Sequence, residues 1–221
     1  MLIVTTMSCR DWQESAPDEA DRHISLRVRG RTNMKATDHL RKLPADAAAF
    51  SEQEFEGRYS TVDRFFRLLT VQGFVAVGVY GIGCAIYSLP RGLSLPLRAI
   101  HQALQKFIEI TTGIMLPVGV EAGGGLYIGH FGGIIINGGV HLGTGCKISH
   151  GMTIGTKGAG RGNSVPRLGD EVYVGTGAVV IGNVSVGNRA IIGANAVVIH
   201  DVPAGSIVGG VPARVIGQNE C

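Results

Sequence analysis

Every sixth residue from Leu168 is aliphatic: Leu168, Val174, Val180, Val186, Ile192 and Val198. Four places after each comes a small or β-branched residue: Val172, Ala178, Val184, Ala190, Ala196 and Val202. The same comb runs earlier through Ile136, Leu142, Ile148 and Ile154. A six-residue period fits neither the period of 2 of a strand nor the 3.6 of a helix. It fits a three-sided coil with one short strand on each side and three hexapeptides to the turn. The aliphatic residue points into the prism, and the small one fits near a corner. Asn183, Asn188 and Asn195 suit left-handed corners, as glycine does. Stacked coils pair their own strands at about 4.8 Å. The expected fold is mainly β, a left-handed parallel β-helix.

Glycine supports this. The chain has 34 glycines in 221 residues, and 26 of them lie between residues 116 and 221. No Gly-X-Y triplet repeats and there are only 8 prolines, so collagen is excluded. A content of 45% hydrophobic residues can supply a core.

The chain divides into three zones. Residues 1–58 hold 19 of the 37 charged residues, show no sustained period and read as a polar, loosely packed extension. A short helix over Thr37–Lys42 or Ser51–Glu56 is compatible with them. Residues 59–112 read as helical. Asp63–Leu69 has a helical pattern, and Thr70–Leu89 is a nearly uncharged stretch. Leu97–Ile110 is amphipathic after Pro90 and Pro96. The uncharged stretch is long enough for a membrane span. Gln72, its glycines and its two tyrosines favour a buried helix instead, with a peripheral membrane contact as the alternative. Residues 113–221 form the β-helix. Its period breaks between Ile154 and Leu168, a gap two residues longer than two repeat units. That segment is Gly-rich and basic, and residues 155–167 read as a loop thrown out of the prism.

A net charge of +3 gives no argument for nucleic acid. Cysteines 9, 84, 146 and 221 form no CxxC pair, which suits a reduced compartment and argues against a zinc knuckle. The first ten residues lack the basic lead-in of a signal peptide. The expected location is cytoplasmic.

Over about residues 60–217 the chain resembles the serine acetyltransferase group of hexapeptide acyltransferases. The resemblance rests on the comb, on Gly129-His130-Phe131-Gly132-Gly133, and on Ile148-Ser149-His150-Gly151-Met152-Thr153-Ile154-Gly155. The ending Asp201-Val202-Pro203 with Gly210-Val211-Pro212-Ala213-Arg214 completes it. The resemblance implies a homotrimer, with acetyl-CoA in the groove between neighbouring prisms, and allows a dimer of trimers. It implies His130 as catalytic base. There are departures. The family carries Asp directly before that His, where this chain has Gly129. Its loop carries Asp-Arg-His-Pro, where this chain has Asn163-Ser164-Val165-Pro166. Its upstream Asp would fall near Ile114 or Met115. The groups that grip a free amino acid are therefore missing. The pattern is more like the serine acetyltransferase-like enzymes of exopolysaccharide and capsule pathways, which acetylate sugar hydroxyls.

The chemistry fits an imidazole. Acetyl transfer from a thioester to an alcohol needs a base near neutrality and a donor for the developing oxyanion. His130 lies six residues before Ile136, where the comb expects an aliphatic. His150 follows 20 residues later, about one coil on. His150 and Asn137 are substrate-lining candidates. Glu121 is the nearest upstream carboxylate that could orient His130, and a backbone N–H in Gly151–Gly155 could hold the oxyanion. By resemblance, Gly175, Thr176, Gly177 and Ala178 would line the pantetheine arm, with Ala194 and Asn195 one coil further. Lys157, Arg161 or Arg214 could meet the CoA phosphates. No metal is expected. His130, His141 and His150 are spaced 11 and 9 residues apart, which does not repeat the coil and disfavours a zinc carbonic anhydrase. The leading expectation is an acetyl-CoA-dependent O-acetyltransferase acting on a sugar or polysaccharide precursor. The alternative is the serine O-acetyltransferase of cysteine synthesis.

Overall fold

The computed structural model describes residues 41–54, 68, 70–158 and 164–219. Among the described residues, the helices α1 (Leu43–Glu54), α2 (Gln72–Ser88) and α3 (Arg91–Thr112) precede the β-structure. Short strands then follow one another from Ile114–Met115 to Arg214–Gln218. They fall into three sheets that the chain visits in rotation, the left-handed parallel β-helix expected from the comb. The first sheet stacks Ile114–Met115, Ile134–Ile136, Thr153–Gly155, Val179–Ile181 and Val197–Val198. The second holds Glu121–Ala122, His141–Leu142, Arg167–Leu168 and Ser185–Val186. The third runs from Tyr127–Ile128 through Lys147–Ile148, Tyr173–Val174 and Ile191–Ile192 to Ser206–Gly209. The last strand folds back antiparallel on Ser206–Gly209 and covers that sheet's end.

The comb residues Val174, Val180 and Ile192 are fully buried, and so are Ala178, Ala190 and Ala196 of the small column. Both columns fill one core along the prism axis. Of the three asparagines expected at left-handed corners, only Asn195 adopts a positive φ; among the described residues Glu171 and Arg189 are the other non-glycine cases. Asn188 instead accepts a hydrogen bond at its side-chain oxygen from the Asp170 N–H, at 3.0 Å.

Two repeat breaks differ from the sequence reading. Neighbouring coils are offset by 18 residues where the period is regular, as in Val179 opposite Val197. Across the loop the offset is 26, with Thr153 opposite Val179. The excursion therefore carries eight extra residues, not two. Within the first coil the offset is 20, with Ile128 opposite Ile148, and falls to 18 at Ile135 opposite Thr153. The corner after Ile128 is thus two residues longer than the corner above it. The inward position belongs to Ile128, and His130 lies on the enlarged corner rather than in the comb.

The helices cap the first coil. The nearly uncharged stretch forms α2, and its buried residues include Ala76, Val77, Val79 and Tyr80. Its start abuts the coil so closely that a Cβ on Gly73 would collide with the Ile128 carbonyl oxygen. The Tyr80 hydroxyl donates to the Val120 carbonyl at 2.8 Å. No helix among the described residues is long and apolar enough to cross a membrane. Within the polar extension, α1 docks rather than dangling. Phe50 is fully buried, with its ring 5.5 Å from Phe74 and 4.8 Å from Tyr127. The Asp46 carboxylate accepts the Gly125 and Leu126 N–H groups at 2.7 and 3.0 Å. The helix expected over Asp63–Leu69 lies almost wholly outside the described residues.

α3 begins at Arg91 and runs through Pro96, which does not break it. The side facing α2 is polar. Arg98 donates to the Tyr87 and Leu89 carbonyls at 3.2 and 3.3 Å, which caps the C-terminus of α2. His101 contacts the Val79 carbonyl through Nε2 at 3.0 Å, and Gln105 donates to the Leu116 carbonyl. The apolar side carries Leu97, Ile100, Leu104, Phe107 and Ile110, which are exposed.

Candidate active site

The site forms on the edge where the chain passes from the third sheet to the first. The chain turns that corner at Gly129–Gly133, Ser149–Met152, Gly175–Ala178 and Gly193–Ala196, glycine-bearing segments of which the first two also carry His130, Phe131, His150 and Met152. Backbone bonds stack the corners. The Gly151 N–H donates to the Gly132 carbonyl at 2.9 Å, Gly177 to His150 at 3.0 Å and Asn195 to Thr176 at 2.8 Å. Gly133, Gly151, Gly177 and Asn195 all have φ between 55° and 71°. A Cβ on Gly133 would stand 3.3 Å from the Gly151 Cα, so this close stacking favours residues without side chains.

His130 and His150 are each the second residue after an inward isoleucine, Ile128 and Ile148, which face each other in register. That register places one imidazole over the other. The ring centroids are 5.6 Å apart and the planes meet at 66°. Both residues are exposed. The enlarged corner is tied to the helices, because the Gly132 N–H donates to the Thr112 carbonyl at the end of α3, at 2.8 Å.

Several sequence-derived candidates share this edge: His130, His150, Gly175, Thr176, Gly177, Ala178 and Ala194. Others do not. Asn137 follows the first sheet, on the next edge round the prism, with its Cβ 3.4 Å from a Cβ placed on Gly155. Lys157 lies on that edge too, its stem laid across Gly182. Arg214 is exposed at the last coil, after Ala213, whose N–H donates to the Val197 carbonyl at 2.8 Å. Arg161 lies outside the described residues.

Glu121 does not orient His130. It belongs to the second sheet and pairs with Nδ1 of its register neighbour His141 at 3.2 Å. Among the described residues no carboxylate bonds to His130. The Gly151 and Thr153 amides offered for the oxyanion are spent on the Gly132 and Ala178 carbonyls. Cys146 supplies no nucleophile. It is fully buried, its thiol donates to the Gly169 carbonyl at 3.3 Å, and burial pushes its pKa up to about 11.

One pair escaped the sequence reading. The Ser149 Oγ and Tyr173 OH hydrogen-bond at 3.1 Å beside His150. Ser149 precedes His150 in the chain, but Tyr173 reaches it only through the 26-residue register across the loop. The loop length was misjudged from sequence, so the pairing was hidden.

A left-handed coil of hexapeptides that presents two histidines in edge contact on one corner is the architecture of the hexapeptide-repeat transferases. Residues 166–200 match the bacterial transferase hexapeptide family of six repeats. The chain is 34% identical over 152 residues to the serine acetyltransferase of Bacillus licheniformis, covering 69% of this chain and 68% of that enzyme. It is 38% identical over 123 residues to the serine acetyltransferase of Mycobacterium tuberculosis, covering 56% of this chain but only 54% of that enzyme. The crystal structure of the Brucella abortus serine acetyltransferase in complex with coenzyme A superposes with a TM-score of 0.67 at 27% identity, covering 82% of this chain and 68% of that one. The chain belongs to the serine acetyltransferase family. These relatives bear that name, not that of the exopolysaccharide and capsule enzymes expected from the sequence.

Proposed function

We propose that this chain transfers the acetyl group of acetyl-CoA to an alcohol, with His130 as general base. The carrying observation is the shared edge: His130 lies two and three coils from the corners at Gly175–Ala178 and Gly193–Ala196 that would take the pantetheine arm. The Brucella relative's complex with coenzyme A supports this choice of donor. The acceptor hydroxyl gives its proton to His130 as its oxygen attacks the thioester carbonyl. The C–S bond then breaks, and the CoA thiolate recovers the proton from the imidazolium. No acyl-enzyme is required.

The relatives' names make L-serine the first acceptor. A second reading, an uncharged sugar hydroxyl, is favoured by Ser164 and Val165, which stand where the family's loop carries Arg and His. Neither can form an ion pair with a carboxylate. Parallel assays of CoA release with L-serine and with a panel of nucleotide sugars and oligosaccharides decide between the readings. Turnover of serine at least as efficient as that of any sugar establishes the first. Turnover confined to a saccharide establishes the second, and none with any acceptor contradicts the acetyltransferase.

The working form is proposed to be a homotrimer. Lys157 and Asn137 sit on a different edge from His130, so a ligand touching both sets needs a second copy of the chain. The α3 seam supplies the contact. Leu97, Ile100, Leu104 and Phe107 follow the 3-4-3 spacing that pairs helices, and Ile110 continues the seam toward Phe131, Met115 and Ile135. These eight side chains are 40–77% exposed. At about 200 Å² for a large side chain, they present roughly 800 Å². That is about one partner's share of a standard interface and above the ~300–600 Å² patch of an ordinary monomer.

A further inference from the structure

We infer that His150 is a second catalytic residue, whose ring N–H holds the oxyanion that develops on the thioester carbonyl while His130 takes the acceptor's proton. The inference rests on the acetyl-transfer reading above. The attacking oxygen and the developing oxyanion are bonded to one carbon. Base and oxyanion donor each reach their oxygen at about 3 Å, so the two groups must lie a few ångström apart. The 5.6 Å centroid separation of His130 and His150 meets that requirement. The edgewise arrangement leaves the rings inclined at 66° rather than stacked flat, so their nitrogens address different points in space.

The backbone around the pair is largely committed. The Gly129, Ser149 and Thr153 amides donate to the Ile148, Val174 and Ala178 carbonyls. Those of Gly132, Gly151 and Gly177 donate to Thr112, Gly132 and His150. A helical coil spends such amides on its neighbour, and a side chain on the exposed edge is the free source of a donor. Neutral imidazole carries one N–H for this purpose. His150 is exposed on the same edge, in ring contact with the base. The Ser149–Tyr173 pair borders it on the third sheet. Electron flow is unchanged from the reading above. The carbonyl π pair moves onto oxygen as the C–O bond forms, His150 donates a hydrogen bond to that oxygen without losing its proton, and the pair returns as the thiolate leaves.

The test compares His150→Phe, His150→Gln and wild type with acetyl-CoA and the best acceptor, after thermal melts confirm that each folds. Phe keeps the ring contact but has no donor; Gln has a donor but no ring. The expected result is a kcat loss of about 10²–10³-fold for Phe, with KM for acetyl-CoA unchanged and Gln recovering at least tenfold of that loss. His150→Phe within threefold of wild type overturns the inference while leaving the acetyltransferase intact. Equal losses in Phe and Gln overturn it as well. A wild type that releases no CoA with any acceptor overturns both this inference and the reading beneath it.

Discussion

The position of His130 depends on two residues. Ile134, Ile135 and Ile136 are consecutive isoleucines, so a comb read backward from Ile136 lands on His130 as readily as a comb through Ile134 lands on Ile128. Side-chain pattern alone cannot separate the two registers, and the sequence reading took the wrong one. The structure separates them through the Ile128–Ile148 pairing. The histidine pair itself was legible, because a spacing of 20 is close to one coil. Its lack of a carboxylate partner was not, because Glu121 is drawn to His141 by a register that the length of the corner after Ile128 sets. The corner that displays the histidines makes its own demand on sequence. Gly133 has φ 65°, and an added Cβ would press on Gly151. Gly133→Ala should cost about 1–2 kcal/mol from the left-handed backbone alone. A melt should fall by several degrees, at roughly 2–4 °C for each kcal/mol in a chain of this size. An unchanged melting temperature contradicts the tight stacking described for this edge.

Among elements, α1 was the least legible. Its surroundings are charged and lack a period, so its docking depends on tertiary partners that no local pattern encodes. Asp46 is the anchor, buried and accepting two backbone N–H groups. Burial raises its pKa, outweighing the amide hydrogen bonds and the nearby Lys42. For a carboxyl raised by folding, the docked state favours the protonated form. The stability it contributes is present below the ordinary carboxylate range and is lost as pH rises through the docked group's titration. Asp46→Asn keeps an acceptor without the charge. Its melting temperature should equal that of wild type in acid and exceed it toward neutral pH. Asp46→Ala should lose about 1–3 kcal/mol for each amide left without a partner. Melts of the three proteins from acid to neutral pH check this, and a constant gap between Asn and wild type contradicts it. α3 offers the opposite lesson. Its amphipathic pattern was plain in the sequence, yet Pro96 falls in its early turns and Arg98, His101 and Gln105 turn its polar side inward. Which side met α2 required the structure.

For the whole molecule, the β-helix was legible because six aliphatic and six small positions in unbroken series admit few other folds. The proposed trimer rests on family resemblance, and the exposed α3 seam is the physical argument for it. Replacing Ile100 and Phe107 by lysine should leave the coil folded and shift sedimentation from trimer toward monomer. CoA release should fall with the trimer if each site draws on two copies, as proposed. A double variant that sediments as wild type contradicts the seam as an interface. The central claim, that His130 removes the acceptor's proton on this edge, is tested most directly by steady-state CoA release from wild type and His130→Ala with the same acceptor. The account predicts a kcat about 10²–10⁴-fold lower, with KM for acetyl-CoA little changed and the thermal melt preserved. A folded His130→Ala enzyme that turns over at the wild-type rate would contradict it.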